Sequence, residues 1–138
     1  MKVLIDTNVL LDVLTQREPF YKDSAVIWSL AEEKIIEGYI SAISVNNIYY
    51  ITKKLNDVKT AGSLVDKIMK DFNVISVTYE ILKLARTKDG DYEDLIQYFS
   101  ALQNACDYII TRDPKGFPKK GIKIIAPTAF IKKISSLH

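Results

Sequence analysis

Residues 3–14 read Val3-Leu4-Ile5-Asp6-Thr7-Asn8-Val9-Leu10-Leu11-Asp12-Val13-Leu14. Three apolar residues in a row, without alternation, suit a short strand buried on both faces. Asp6-Thr7-Asn8 then supplies helix-capping side chains, and the apolar residues from Val9 to Leu14 begin a helical pattern. A buried strand running directly into a helix opens a βαβ unit.

The same alternation recurs along the chain. Strands are predicted at 38–41, 74–77, 108–110 and 122–125. Helices are predicted over 21–34, after a Ser44 cap, after Asp57, over 79–86, from an Asp91 cap to Ala105, and from Pro127 onward. Strands alternating with helices give an α/β fold with a mostly parallel sheet. No repeat or linker interrupts residues 1–138, which are expected to form a single domain. The Lys88-Asp89-Gly90 turn and the loop from Pro114 to Gly121 are the candidate flexible segments.

Composition narrows the chemistry. The 138 residues are 48% hydrophobic and 26% charged, which is globular, and a net charge of +2 selects no partner by itself. A single cysteine, Cys106, cannot form an internal disulfide, and a single histidine, His138, stands at the last position. Zinc sites of His and Cys, Ser-His-Asp and Cys-His triads and two-histidine nuclease mechanisms are thereby excluded. Carboxylates, lysines, hydroxyls or a bound metal must carry any catalysis. No leader sequence and no apolar stretch of membrane-spanning length is visible, so the expected location is cytoplasmic, without membrane contact.

Sites in open α/β sheets form outside the carboxyl ends of the strands. Asp6 and Asp113 follow two such ends, and Asp94 lies in the first turn of the helix opened by Asp91. Singly, each has an ordinary structural reading: a cap, a turn, a complement to a helix dipole. Jointly they are less ordinary. If the strands preceding Asp6 and Asp113 are neighbours, the carboxylates lie about 5 Å apart and repel by about 3 kcal/mol at an effective dielectric near 20. A cation between them would relieve this, and a ligand set of oxygens without His or Cys points to Mg²⁺ or Mn²⁺.

Asp6-Thr7-Asn8 after a first strand, Glu93-Asp94 opening a helix, and Thr111-Arg112-Asp113 after the next strand together resemble a PIN domain. The resemblance covers essentially the whole chain. It implies a Rossmann-like three-layer α/β/α sandwich around a central parallel sheet. It also implies a metal-dependent ribonuclease acting on single-stranded RNA, as in the VapC-type toxins of toxin–antitoxin pairs, with an antitoxin protein as partner and a homodimer built near Tyr49, Tyr50 and Ile51. The family's first acid falls on Asp6, its third on Asp94 and its last on Asp113, with Thr111 at the hydroxyl position two residues earlier. These three acids are the implied catalytic residues and metal ligands.

The family's second acid, a glutamate after the second strand, falls on Asn47, with Asn46 the second candidate. Asparagine can ligate through its carbonyl oxygen but brings no charge and cannot act as a base. Glu93 or Asp91 is left to replace the missing acid, with Asn8 and Thr111 in support. An alternative reading follows: a catalytically impaired PIN-fold module that binds RNA or a protein partner without cutting. Another phosphoesterase or an unrelated α/β domain is a further alternative.

Arg112, beside Asp113, is a candidate RNA contact or the partner of a nearby acid. Lys53-Lys54, Lys115, Lys119-Lys120 and Lys132-Lys133 are candidates for a basic rim or simply solvated lysines. Tyr49, Tyr50 and Tyr92 could stack on bases, whereas Tyr98 and Cys106 fit the core.

Overall fold

The structure is a computed structural model that describes residues 1–137, so His138 lies outside the described residues. The elements run β1 (Lys2–Ile5), α1 (Thr7–Leu14), α2 (Tyr21–Glu32), β2 (Glu37–Ser41), α3 (Ala42–Leu55), α4 (Val58–Asp71), β3 (Asn73–Ile75), α5 (Tyr79–Ala85), α6 (Tyr92–Gln103), β4 (Tyr108–Ile110), β5 (Lys123–Ile125) and α7 (Pro127–Ser136). A short 3₁₀ turn, Pro114–Gly116, follows β4.

The five strands form one parallel sheet in the order β3-β2-β1-β4-β5. The chain starts in the middle, moves to one edge, returns, and moves to the other. β1 therefore lies at the switch point of strand order, where open α/β sheets place their sites. Its register sets Leu4 opposite Tyr39 on one side and Ile109 on the other.

Side chains alternate across the pleat. Val3, Ile5, Tyr108 and Ile110 pack with Val9, Leu10, Ile27, Trp28, Ile48, Ile68 and Phe130, drawn from α1, α2, α3, α4 and α7. Leu4 and Ile109 pack on the opposite face with Ile81, Leu95, Ile96, Phe99 and Phe117, chiefly from α5 and α6. Both faces of the central strands are covered, which is why β1 and β4 read as unbroken apolar runs. The result is the three-layer α/β/α sandwich with a central parallel sheet. Each fully buried Leu or Ile contributes about 1.5–3 kcal/mol. Gly38 permits the closest helix approach, since a Cβ there would lie 2.8 Å from the Ala31 Cβ and 2.9 Å from Phe72 Cδ1.

Several local expectations change. Ser41, not Ser44, caps α3: its Oγ accepts from the Ile43 N–H. Ser44 is instead buried inside the helix, where its hydroxyl pairs with that of Thr7 at 2.6 Å. Asp57 and Asp91 do cap their helices, accepting from Thr60 N and Asp94 N. β3 pairs with β2 only as far as Ile75 opposite Ser41, so the strand stops short of Val77. α6 ends at Gln103 rather than Ala105, because Ala105 adopts a φ of 54°, outside the helical region.

Candidate active site

Asp6 is held from two sides. β1 and β4 are adjacent, with Ile5 opposite Ile110, and the Asp6 N–H extends the ladder to Ile110 O at 3.0 Å. The residue stands at the N-cap of α1 yet makes no side-chain cap bond. Its Oδ1 accepts from Gln97 Nε2 at 2.9 Å and its Oδ2 from Thr111 Oγ1 at 2.7 Å. Burial pushes its pKa up, and these two hydrogen bonds oppose the shift. Asp6 is therefore an oriented, buried carboxylate and not a surface cap.

α6 supplies the next acids. Gly90, at a φ of 136°, turns the chain into Asp91, and the cap starts α6 so that Glu93 and Asp94 occupy its first turn. Successive helical residues point in different directions. Glu93 reaches α3, where Asn47 Nδ2 donates to its Oε1. Both line a cleft of about 430 Å³ with Asp6, Thr7, Asn8, Leu11, Tyr50, Ile51, Asp91 and Asp94. The Glu93 carboxyl is shifted upward by burial first and then by the charges of Asp6 and Asp91. That of Asp94 is pushed up to about 7, by burial first and then by Asp6, Asp91, Glu93 and Asp113. Mutual repulsion among these acids is thus present in the fold itself.

Asp113 approaches from the other side of Asp94. It follows β4, with its N–H donating to Thr111 Oγ1 at 3.1 Å. A Cβ built on Gly116 would lie 3.0 Å from Asp94 Oδ2 and 3.8 Å from Asp113 Oδ2, so the two carboxylates flank one glycine. Asp94 and Asp113 line an adjoining cleft with Asp91, Lys88, Lys115 and Gly116. Asp94 is common to both clefts. Asp6, Asn8, Asn47 and Glu93 lie on one side of it and Asp113 and Lys115 on the other.

Among the described residues, no three His, Cys, Asp or Glu side chains stand close enough to hold a metal ion by themselves. The acids surround the clefts instead of converging on one point. Their chemistry nevertheless fits a hard divalent cation. Mg²⁺ takes one or two carboxylates directly and keeps several waters, which suits oxygens spread around an open cleft. The buried Asn8 Oδ1, from a residue lining the first cleft, has no hydrogen-bond partner among the described residues and is a spare oxygen donor.

Other candidates are sorted differently. Arg112 turns away from both clefts: its Nε donates to Asp12 Oδ2 at 2.8 Å and its guanidinium lies 4.7 Å from the Phe20 ring centre. Asp12 is only 1% exposed. Of the candidate rim lysines, Lys115 lines the second acid cleft, beside Lys88, while Lys54 lies over Tyr50 and Lys133 over Tyr108. Tyr50 lines the first cleft and is exposed. Tyr98 and Cys106 are in the core, and burial pushes the Cys106 thiol up to about 11.

Gln97 escaped the sequence reading. Its signal is one polar residue, fully buried, within the apolar run Leu95-Ile96-Gln97-Tyr98-Phe99. Such a residue needs a partner, and Asp6 is that partner.

Thr111 ties two acids together, which gives a first prediction. Thr111→Val keeps the volume but removes the donor to Asp6 and the acceptor for the Asp113 N–H. A loss of about 1.5–3 kcal/mol is expected for a hydrogen bond to a charged group. Thermal melting at neutral pH should show a Tm lower by about 4–10 °C.

Comparison with known proteins bears on the family and the fold. The PIN domain family profile matches residues 2–115. Ribonuclease VapC1 of Aquifex aeolicus (strain VF5) is 25% identical over 142 residues, spanning 99% of this chain and 97% of that protein. Among solved structures, a toxin-antitoxin complex from Klebsiella pneumoniae aligns at a TM-score of 0.68 with 19% identity, over 91% of this chain and 97% of that one. DNA-bound VapBC from Salmonella typhimurium aligns at 0.66 with 16% identity, over 92% and 98%.

Proposed function

The chain belongs to the PIN domain family, and from that premise we propose that it is a ribonuclease that cleaves single-stranded RNA with Mg²⁺ or Mn²⁺ and serves as the toxin of a toxin–antitoxin pair. The observation that carries the chemistry is Asp94, shared by two clefts and pushed up to about 7 by burial and by the four acids around it. A fold holds such a set of acids at a cost that a divalent cation would offset. The relative in Aquifex aeolicus, named a ribonuclease, and the solved toxin-antitoxin complex support the biological role.

Asp6, Asp94 and Asp113 would hold the ion, with the Asn8 carbonyl oxygen in reserve. A divalent ion there supplies positive charge against the phosphoryl group and acidifies an attacking water. The chain's own residues do the rest. Thr111 and Gln97 fix the Asp6 oxygens before any ligand arrives. Lys115, beside Asp113, gives an RNA phosphate a counter-charge. Tyr50 offers a partly exposed ring at the cleft on which a base can stack. Leu55 and Val58 leave apolar surface exposed at the end of α3 and the start of α4, which suits a second copy of the chain.

Asn47 favours a second reading, a module that binds RNA or a protein without cutting. A fluorescent single-stranded RNA separates the two. Cleavage in Mn²⁺ that stops in EDTA and is lost in Asp113→Ala is the expected result. RNA binding with no metal-dependent cleavage by the wild-type protein would overturn the nuclease reading and leave the binding module.

A further inference from the structure

Asn47 on α3 and Glu93 on α6 meet at the first cleft. Asn47 Nδ2 donates to Glu93 Oε1 across the cleft. The orientation of that amide is fixed by chemistry, because a carboxylate oxygen can only accept and an amide offers a donor only through its nitrogen. Glu93 lines the cleft that Asp6, Asn8 and Asp94 also line.

We propose that Glu93 is a further acid of the cation-binding cleft, and that Asn47 is its positioning residue. This rests on the metal-dependent reading above. Glu93 is half-buried and lines the same cleft as Asp6 and Asp94, so it belongs to the acid set and not to the open surface. Its neighbour Asp94 faces Gly116 and Asp113, so one helical turn serves both clefts. An acid placed at position 47 by itself would meet Glu93 head-on, without the donor that now holds it.

Mn²⁺ binding, followed by the electron spin resonance signal of the free ion, tests the role of this pair without relying on activity. Four proteins are compared: wild type, Glu93→Gln, Asn47→Glu, and Asn47→Glu with Glu93→Gln. Circular dichroism confirms that each is folded, and the Gln variant keeps an oxygen to accept from Asn47. Glu93→Gln should weaken Mn²⁺ binding by about 10-fold or more. The double variant, which moves the acid to α3 and the amide to α6 of the same cleft, should recover most of that loss. Unchanged affinity in Glu93→Gln overturns the proposal and makes the Asn47–Glu93 bond only a tie between helices. A loss that the double variant does not recover overturns it as well. A wild-type protein that binds no Mn²⁺ would overturn the metal-dependent reading itself, and this proposal with it.

Discussion

Asp94→Asn is expected to slow metal-dependent RNA cleavage by about 10²–10³-fold, the usual scale for removing one group that stabilises charge in a transition state. The same change should make the metal-free protein more stable. Asp94 has its carboxyl pushed from 3.8 to about 7 in the fold. An acid with a raised folded pKa holds its proton more tightly when folded than when unfolded. Between those two values the folded state carries the extra proton, so stability falls as pH rises through the window. Below it the acid is protonated in both states and costs nothing. The Asn variant lacks this penalty. Its advantage should be absent near pH 4 and complete above pH 7. Discounted for half-exposure and screening, it amounts to about 1 kcal/mol, or about 3 °C in Tm. Mn²⁺ should raise the Tm of wild type more than that of the variant, since only the wild type gains full binding energy in the folded state. A variant less stable than wild type at pH 7 would make Asp94 a structural residue.

Arg112→Ala is expected to cause the largest loss of stability. The guanidinium pairs with Asp12, which is 1% exposed, and covers the Phe20 ring. Removing one partner of a buried pair strands the other, at about 3–5 kcal/mol. For a chain of this length that is about 10 °C in Tm or more. Replacing both, with Asp12→Asn and Arg112→Gln, keeps a hydrogen bond without charges and should restore much of the loss. If Arg112 acts only through this pair, the double variant should bind RNA as the wild type does. RNA binding weakened in the double variant while stability recovers would identify Arg112 as an RNA contact after all.

The unbroken apolar runs at Val3–Ile5 and at Tyr108–Ile110 made the central strands legible, because burial on both faces leaves no alternation. Asp6 and Thr111 were legible for the same reason, since a polar residue directly after a buried strand emerges at the sheet's carboxyl edge, and Asp113 follows two residues on. Contacts distant in sequence were not. Nothing local to Arg112 tells whether it meets Asp12, 100 residues earlier, or a phosphate. Asn47 alone reads as a lost charge; only the packing of α3 against the start of α6 shows Glu93 facing it. Ser44 looked like a cap because capping is a local rule, whereas its hydroxyl is committed to Thr7 on another element. The spread of Asp6, Asp94 and Asp113 around two joined clefts likewise depends on the 3₁₀ turn at Gly116, which no periodicity announces.

The central claim is that these acids hold one divalent cation. A crystal of the protein soaked in Mn²⁺, with anomalous scattering recorded near the manganese edge, tests it most directly. The expected result is an anomalous peak at Asp94, with Asp6 and Asp113 bound to the ion directly or through one water each. No peak in either cleft at saturating Mn²⁺, or a peak only elsewhere on the protein, would contradict the account.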